Sequence, residues 1–191
     1  MGNGQSLLSE CTDLMVDIET TGLRPDRHAV IQIAAVPFQL QSQKVGDTYF
    51  DMCLKMPNAR GWQETTKDWW YGKNGHVLVG IMGRGQDPKY VMESLAGFVK
   101  AMKGPVNFWC KRSFDWQFIE SYFHDMEVTN PLKYQNVHEM WSYLKGASHP
   151  QPVPKVEVVV QKAGEFDAHN AYYDALWQVQ CLFNTLNHLK R

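Results

Sequence analysis

The chain has 191 residues, a formal net charge of −1, 44% apolar residues and 20% charged residues. These values predict one globular domain with a sizeable core, and they exclude a chain-wide positive field that would recruit an anionic polymer. A nucleic-acid partner would therefore need a local basic patch or bound cations.

The cysteines and the hydropathy of the chain indicate its compartment and its relation to membranes. The four cysteines lie far apart and include no Cys-x-x-Cys pair, which predicts free thiols in a reducing compartment and no zinc site. The sequence shows no signal peptide and no 18-residue apolar run, so we expect a soluble protein with no membrane partner. We expect residues 1–11 to form a flexible N-terminus and residues 12–191 to form a single domain.

Three strands are predicted in the first third of the chain. Residues 12–18 and 29–38 are apolar runs typical of buried strands, and residues 47–55 alternate between apolar and polar side chains. Residues 39–46 form a polar link that ends in glycine, which favours a hairpin. Sequential strands with short links predict an antiparallel meander.

The rest of the chain predicts helices that alternate with strands. Residues 74–86 hold four glycines and are expected to form a mobile loop, and residues 155–162 are expected to form either a strand or a helical turn. The predicted helices lie at 63–72, 88–103, 115–124, 138–146 and 168–189, and the predicted strands lie at 105–110 and 133–137. The order β-β-β, then α-β-α-β-α, indicates an α/β domain with a mixed sheet.

Two carboxylates, Asp17 and Glu19, end the first predicted strand. Residues at positions i and i+2 of a strand face the same way, so these like charges lie close together and are costly to bury without a cation. Mg²⁺ or Mn²⁺ suits such hard oxygen ligands. The alternative is a strand that emerges at the surface with both groups hydrated, and the two carboxylates taken alone favour that alternative.

Two more acidic residues and one histidine also leave alternatives open. Asp115 follows a predicted strand and opens a helix, where a helix N-cap is the other interpretation. Asp174 lies on the last predicted helix, where it could instead be hydrated beside the apolar stripe. His169, five residues earlier, could be an ordinary histidine at a helix start.

Together these residues form an ordered set of motifs: DIETTGL at 17–23, SFD at 113–115 and HNAYYD at 169–174. The chain thereby resembles the DEDDh family of 3′–5′ exonucleases, in the DnaQ-like, RNase H-like superfamily, over about residues 12–186. Within that family, the segments ETTKDWW and FWCKRSFD are most similar to a group of phage and bacterial exonucleases.

The resemblance implies a fold and a chemistry. The expected fold is RNase H-like, with a mixed sheet of about five strands, a three-stranded antiparallel meander plus parallel strands, flanked by helices. The expected cofactors are two divalent cations, Mg²⁺ or Mn²⁺. Asp17 would bridge both cations, Glu19 and Asp174 would complete the shell of the first, and Asp115 would support the second. His169 would be the general base.

The segment after the first two carboxylates is expected to hold the substrate. By the same resemblance, backbone groups near Thr20 and Thr21 would bond the 3′-hydroxyl, and Leu23 would pack on the terminal base. The alternative is a strand-ending turn, and both interpretations can hold together.

Three further side chains are candidates for substrate binding. Lys111 and Arg112 would contact phosphate, or else belong to a solvated charged loop. Trp69 would offer a stacking surface to an unpaired base. Because Trp69 and Trp70 are adjacent on one predicted helix, we expect one of them in the core and one partly exposed.

The predicted function is a 3′–5′ exonuclease that removes nucleoside 5′-monophosphates from single-stranded nucleic acid ends, with DNA slightly favoured. The alternatives are a 3′–5′ exoribonuclease with the same chemistry, a non-catalytic nucleic-acid-binding module and an endonuclease on the same fold. A homodimer is left open. The expected location is the cytoplasm, or the host cytoplasm for a protein of phage origin.

Overall fold

A mixed seven-stranded sheet forms the centre of the fold in the computed structural model, which describes residues 5–158 and 169–190. The strand order is β1-β4-β3-β2-β6-β7, and β5 also pairs with β3. The strands are β1 (Gln5–Ser6), β2 (Asp13–Thr20), β3 (Val30–Gln39), β4 (Lys44–Gly46), β5 (Phe50–Cys53), β6 (Asn107–Cys110) and β7 (Val137–Glu139).

The strand directions confirm the predicted mixed sheet. Strand β3 pairs antiparallel with both β2 and β5, which gives the meander, while β6 runs parallel to β2 and β7 runs parallel to β6. The sheet has seven strands instead of about five because two short strands add to it. One of these, β4, returns along β3 and closes the hairpin predicted for residues 39–46.

Within the described ranges, six α-helices cover the sheet. Strand β2 shows how they are divided between its two faces, because alternate side chains enter different cores. Leu14 and Val16 pack with α3 and α4, whereas Met15 packs with α5 and α6. The helices are α1 (Glu64–Lys73), α2 (Gly75–Gly83), α3 (Pro88–Lys100), α4 (Phe114–Asp125), α5 (Met140–Ser148) and α6 (Ala171–Leu189).

The prediction of a mobile loop at residues 74–86 is wrong, because most of this segment forms helix α2. Val77, Leu78 and Ile81 share one face of the helix and pack against Trp70 in a third core cluster. This burial outweighs the low helix propensity of the glycines, each of which costs about 1 kcal/mol relative to alanine. The sequence prediction gave the glycines too much weight.

Two other predictions fall at the limits of the described residues. Gln5–Ser6 forms a strand and Leu8–Glu10 forms one 3₁₀ turn, while the expected flexibility of residues 1–11 stays a prediction. Residues 155–158 belong to no helix or strand, and the remainder of the ambiguous segment lies outside the described residues. In the parts of the chain that are described, none of the helices combines the length and the hydropathy needed to cross a membrane.

Candidate active site

The end of strand β2 presents Asp17 and Glu19 toward helix α6. Both residues continue the row of Met15, whose side chain packs under that helix. Glu19 is only 9% exposed, so the strand does not simply emerge at the surface with this carboxylate hydrated. The alternative of two solvated groups therefore does not describe the site.

Two helix starts bring Asp115 and Asp174 to the same place. Asp115 lies in the first turn of α4, is 6% exposed, and accepts a hydrogen bond from the backbone N–H of Ile18 at 3.3 Å. The N-cap of α4 is Ser113, so Asp115 is not the cap that the sequence left open. Asp174 lies in the first turn of α6, which packs across β2 and β3.

The electrostatics show that the four carboxylates converge. Burial raises the pKa of Asp17 well above its ordinary value, and the charges of Asp115 and Asp174 raise that pKa further. Burial likewise raises the pKa of Glu19, with contributions from the other three carboxylates. We call Asp17, Glu19, Asp115 and Asp174 the carboxylate cluster.

Burial also dominates the other two members of the cluster. It raises the pKa of Asp115 to about 7, although the backbone N–H of Ile18 acts against the change. It raises the pKa of Asp174 as well, and there the neighbouring side chains of His169 and Lys111 act to lower it. Four like charges held out of water in this way require a positive partner if all are to ionise.

His169 lies at the edge of the carboxylate cluster. Its backbone has a φ of 69°, a left-handed conformation, immediately before the start of α6. One ligand atom from each of Glu19, His169 and Asp174 lies within 4.8 Å of the others. The donor set is mostly carboxylate oxygen, which fits a hard divalent cation such as Mg²⁺ or Mn²⁺.

Two glutamines that the sequence prediction missed complete the site. Gln178 is 1% exposed, and its Nε2 donates to Oδ1 of Asp17 at 2.5 Å. Gln32, which is fully buried on β3, accepts from the backbone N–H of Ala171 at 3.1 Å and donates to Asp51 at 2.7 Å. The first holds a carboxylate of the cluster, and the second fixes the start of α6.

Of these two glutamines, only Gln178 could have been predicted from the sequence. It lies four residues after Asp174, so a helix at this position places both side chains on one face. Gln32 contacts Ala171 across 139 residues and follows no local pattern.

The segment predicted to bind substrate is fixed by buried hydrogen bonds and by close packing. Thr21 is fully buried; its hydroxyl donates to the carbonyl of Gly61 at 2.6 Å and accepts from the N–H of Ala29 at 2.7 Å. A Cβ at Gly22 would lie 2.5 Å from Nδ1 of His28, so only glycine fits there. Thr21 thus has a structural role, and its contact with substrate stays a prediction.

The neighbours of Thr21 differ in what they offer a ligand. Thr20 donates through its hydroxyl to the carbonyl of Gly22 at 2.8 Å, and its own carbonyl accepts from Nε1 of Trp70 at 3.0 Å. Leu23 is 64% exposed, which leaves an apolar side chain free to pack on a base.

The two tryptophans of α1 divide as expected. Trp70 is buried and Trp69 is 38% exposed. The Trp69 ring meets the imidazole of His169 edge to face, with ring centroids 4.6 Å apart. Trp69 therefore contacts the predicted general base directly, which the sequence did not indicate.

Lys111 and Arg112, the two residues predicted to contact phosphate, have different surroundings. Lys111 lies near the carboxylate cluster, where it acts to lower the pKa of Asp17 and of Asp115, and its Nζ lies 5.5 Å from the ring centroid of Trp177. Arg112 instead lines a cavity beside α5. The roles of all these residues in binding stay predictions.

Solved structures share this fold. The complex of E. coli exonuclease I with single-stranded DNA in its zinc-bound form matches with a TM-score of 0.72 at 14% identity, covering 95% of this chain and 42% of that chain. The E. coli exonuclease I complex with a dA16 oligonucleotide matches with a TM-score of 0.67 at 15% identity, covering 94% and 42%. Apo exonuclease I matches with a TM-score of 0.66 at 15% identity, covering 94% and 43%.

These likenesses show the fold alone, because the identities are low and the present chain spans less than half the length of the exonuclease I chains. A search of curated proteins gave no significant match. None of the comparisons supports a homodimer, and the narrower likeness to phage exonucleases stays a prediction.

The family assignment is based on the sequence itself. Residues 12–186 match the family described as the 3′-5′ exoribonuclease Rv2179c-like domain. The matched range covers most of the chain and contains all three acidic motifs. The exonuclease resemblance found in the sequence is therefore confirmed, and the chain belongs to the Rv2179c-like 3′–5′ exoribonuclease domain family.

Proposed function

We propose that this 3′–5′ exonuclease releases nucleoside 5′-monophosphates from single-stranded ends, with two divalent cations, Mg²⁺ or Mn²⁺, held by the carboxylate cluster. The observation that carries the proposal is the convergence of four largely buried carboxylates and one imidazole at one sheet edge. Asp17, on whose pKa Asp115 and Asp174 both act, would be shared by both cations. Glu19 and Asp174 would complete one shell, and Asp115 would support the other.

The chemistry is hydrolysis of the last phosphodiester bond. When bound, the cations would supply Lewis-acid stabilisation of the phosphoryl oxygens and lower the pKa of the attacking water. As the oxygen of that water attacks phosphorus, a ring nitrogen of His169 accepts a proton from the water. The bond between phosphorus and the 3′-oxygen of the preceding nucleotide breaks, that oxygen takes a proton from solvent to become a 3′-hydroxyl, and the product is a nucleoside 5′-monophosphate.

The surroundings of the cluster favour an unpaired strand end. Leu23 and Trp69 offer exposed apolar surface on the side of the site formed by the end of β2 and by α1. A terminal base can pack on this surface only if it is not stacked within a duplex. Lys111, whose charge acts on Asp17 and Asp115, would contact the phosphate that precedes the released nucleotide.

Two sugar chemistries remain as candidate substrates. The family description names RNA, whereas the exonuclease I structures with a similar fold contain single-stranded DNA. We propose RNA as a substrate alongside the DNA that the sequence resemblance slightly favoured. Discrimination would depend on how the pocket near Thr20 treats a 2′-hydroxyl.

One assay tests the proposal and its alternatives. Matched single- and double-stranded DNA and RNA, labelled at the 5′ end, are incubated with Mg²⁺ or Mn²⁺, and a circular single strand is included. We expect a ladder that shortens from the 3′ end of linear single strands, stops on addition of chelator, and spares the circle. Cleavage of the circle would indicate an endonuclease, and binding without any cleavage would indicate a non-catalytic module.

A further inference from the structure

A cavity of about 500 Å³ is lined by cationic side chains and so has the opposite charge to the carboxylate cluster. It opens between the loop after β6, helix α5 and the segment that follows α5. Its volume lies within the range of small-ligand sites in proteins. The lining side chains that matter here are Arg112, Trp141, Lys145, His149, Pro152 and Val153. We call this the basic cavity.

The charge of the basic cavity has no internal counterpart. Among the residues described, its lining includes no carboxylate. Neither Arg112 nor Lys145 forms an ion pair with a carboxylate of those residues. A neutral imidazole still carries one N–H donor, so His149 can donate to an anion in either protonation state. The cavity therefore suits a phosphate group.

The apolar part of the lining suits a flat ring. Trp141 and Val153 are partly buried and pack at the edge of the core between β2, α5 and α6. An indole beside apolar side chains is a surface on which a base can stack. A cationic rim and an aromatic wall in one cavity match the two halves of a nucleotide.

The position of the cavity along the sheet edge connects it to the active site. Strands β2, β6 and β7 run parallel and end at the same edge. Asp17 lies on β2, Arg112 follows β6, and Trp141 and Lys145 lie on α5, which follows β7. Two strand spacings separate β2 from β7, a distance of about 10 Å. The cavity therefore lies on the β7 side of the carboxylates, with Arg112 in its lining.

We propose that the basic cavity binds an upstream nucleotide of the same single strand whose 3′ end occupies the carboxylate cluster. The base stacks on Trp141, and its phosphate contacts Arg112 and Lys145. This inference rests on the proposed function, since it assumes that the strand end lies at the carboxylates. It adds a second point of attachment that longer strands reach and a dinucleotide does not.

The test measures how turnover depends on strand length, with and without the positive charge of Lys145. Turnover is measured for oligonucleotides from two to ten nucleotides, for the wild type and for Lys145→Ala. We expect the wild-type kcat/KM to rise with length and the gain from dinucleotide to hexanucleotide to fall about tenfold in Lys145→Ala, mainly through KM. Lys145 is exposed, and a thermal melt of each variant checks that it folds. Lys89→Ala, at an exposed lysine on α3, is the matched control and should keep the wild-type gain.

A binding measurement separates this inference from the proposed function. A 5′-labelled decanucleotide is titrated with wild type and Lys145→Ala in chelator, over a range of salt. Loss of one phosphate contact on a single strand should lower the slope of log K against log salt by about 0.7. An abasic site at one upstream position should weaken binding to the wild type, since the stacked base is lost.

The outcomes are distinct. Equal length profiles and equal salt slopes in the wild type and Lys145→Ala would overturn the basic cavity while nuclease activity stands. A Lys145-dependent slope without turnover of any strand would overturn the proposed function and keep the cavity as a nucleic-acid site. An abasic scan with no sensitive position would reject the stacked base.

Discussion

Arg60 and the carboxylate cluster both place charge inside the protein, but they are stabilised differently. The Arg60 side chain is 2% exposed and donates to Asp125 at 2.6 Å, to Ser121 at 2.7 Å and to the carbonyls of Pro25 and His28. In the carboxylate cluster, by contrast, the like charges of Asp115 and Asp174 act on Asp17, and those of all three other members act on Glu19.

The pKa of Asp125, the partner of Arg60, and the pKa values in the carboxylate cluster are therefore shifted in opposite directions. At Asp125, burial acts to raise the pKa, but the hydrogen bonds and charges of Arg60 and His124 together hold it below its ordinary value. At Asp17 and Glu19, burial raises the pKa and the neighbouring carboxylates raise it further. Arg60 has its counter-charge, Asp125, within the protein, whereas we propose that the carboxylate cluster takes its counter-charge from a cation in solution.

The largest expected effect follows from neutralising the centre of the cluster. Asp17→Asn should reduce nuclease turnover about 10³-fold or more, because the cations supply several kcal/mol of transition-state stabilisation. The same variant should raise the Tm in chelator, because one buried like charge is removed while Gln178 keeps an oxygen to donate to. Turnover and thermal melts are compared with Glu93→Gln, at an exposed position on α3. Loss of turnover together with a lower Tm in chelator would contradict this view of the site.

The next effect concerns the imidazole. His169→Ala should lower kcat about 10²-fold, since general base catalysis typically contributes this much or more. Binding of Mn²⁺ and of a single strand should remain, because the carboxylates are intact. Single-turnover kinetics and a binding titration measure the two separately. Near-normal turnover would remove His169 from the mechanism.

At Arg60, removing the buried guanidinium should lower the free energy of unfolding. Arg60→Met should lower the free energy of unfolding by about 2–3 kcal/mol, because the carbonyls of Pro25 and His28 lose their charged donor. Arg27→Met is the matched control in the adjoining loop. Its side chain is 66% exposed, so solvent weakens its ion pair with Asp26, and losing that pair should change the free energy of unfolding little. Equal losses in denaturant titrations of the two variants would show that Arg60 is not the anchor of this region.

A smaller effect is expected at the tryptophan that touches the imidazole. Trp69→Ala should lower kcat about tenfold, by releasing the ring of His169, and Trp69→Phe should restore much of it. If Trp69 served instead as a platform for a base, KM would rise and kcat would hold. Tyr71→Ala, at a neighbouring exposed aromatic on α1, is the control.

What the sequence could predict depended on how local the information was. Asp17 and Glu19 are two residues apart in a strand, so their shared direction followed from the period of two alone. The meeting of Asp115 and Asp174 with them required the family resemblance, because nothing local joins residues so far apart. The strands and most helices followed from hydropathy, whereas α2 was missed because its glycines masked three buried apolar side chains.

The supporting contacts were the least predictable. Gln32 and Arg60 are polar residues whose partners lie on other elements, and single polar residues carry no periodic signal. Their contacts form only once the sheet order is set, so they follow from the topology and not from any segment. The same holds for the edge-to-face contact between Trp69 and His169.

The central claim is that the carboxylate cluster requires a cation, and stability against pH tests it most directly. In the metal-free folded protein, burial raises the pKa of Asp115 to about 7, and the pKa values of the other three carboxylates are also raised. In the unfolded chain they lie near 4. Between about pH 4 and 7 the folded state therefore binds more protons, and its stability should fall as pH rises.

The measurement is the Tm of the wild type from about pH 5 to 8, in chelator and with Mn²⁺. We predict that the Tm in chelator falls across this range, that Mn²⁺ raises it more at the higher pH, and that both effects shrink in Asp17→Asn. A rise with Mn²⁺ that is the same at every pH, or that is undiminished in Asp17→Asn, would contradict the account.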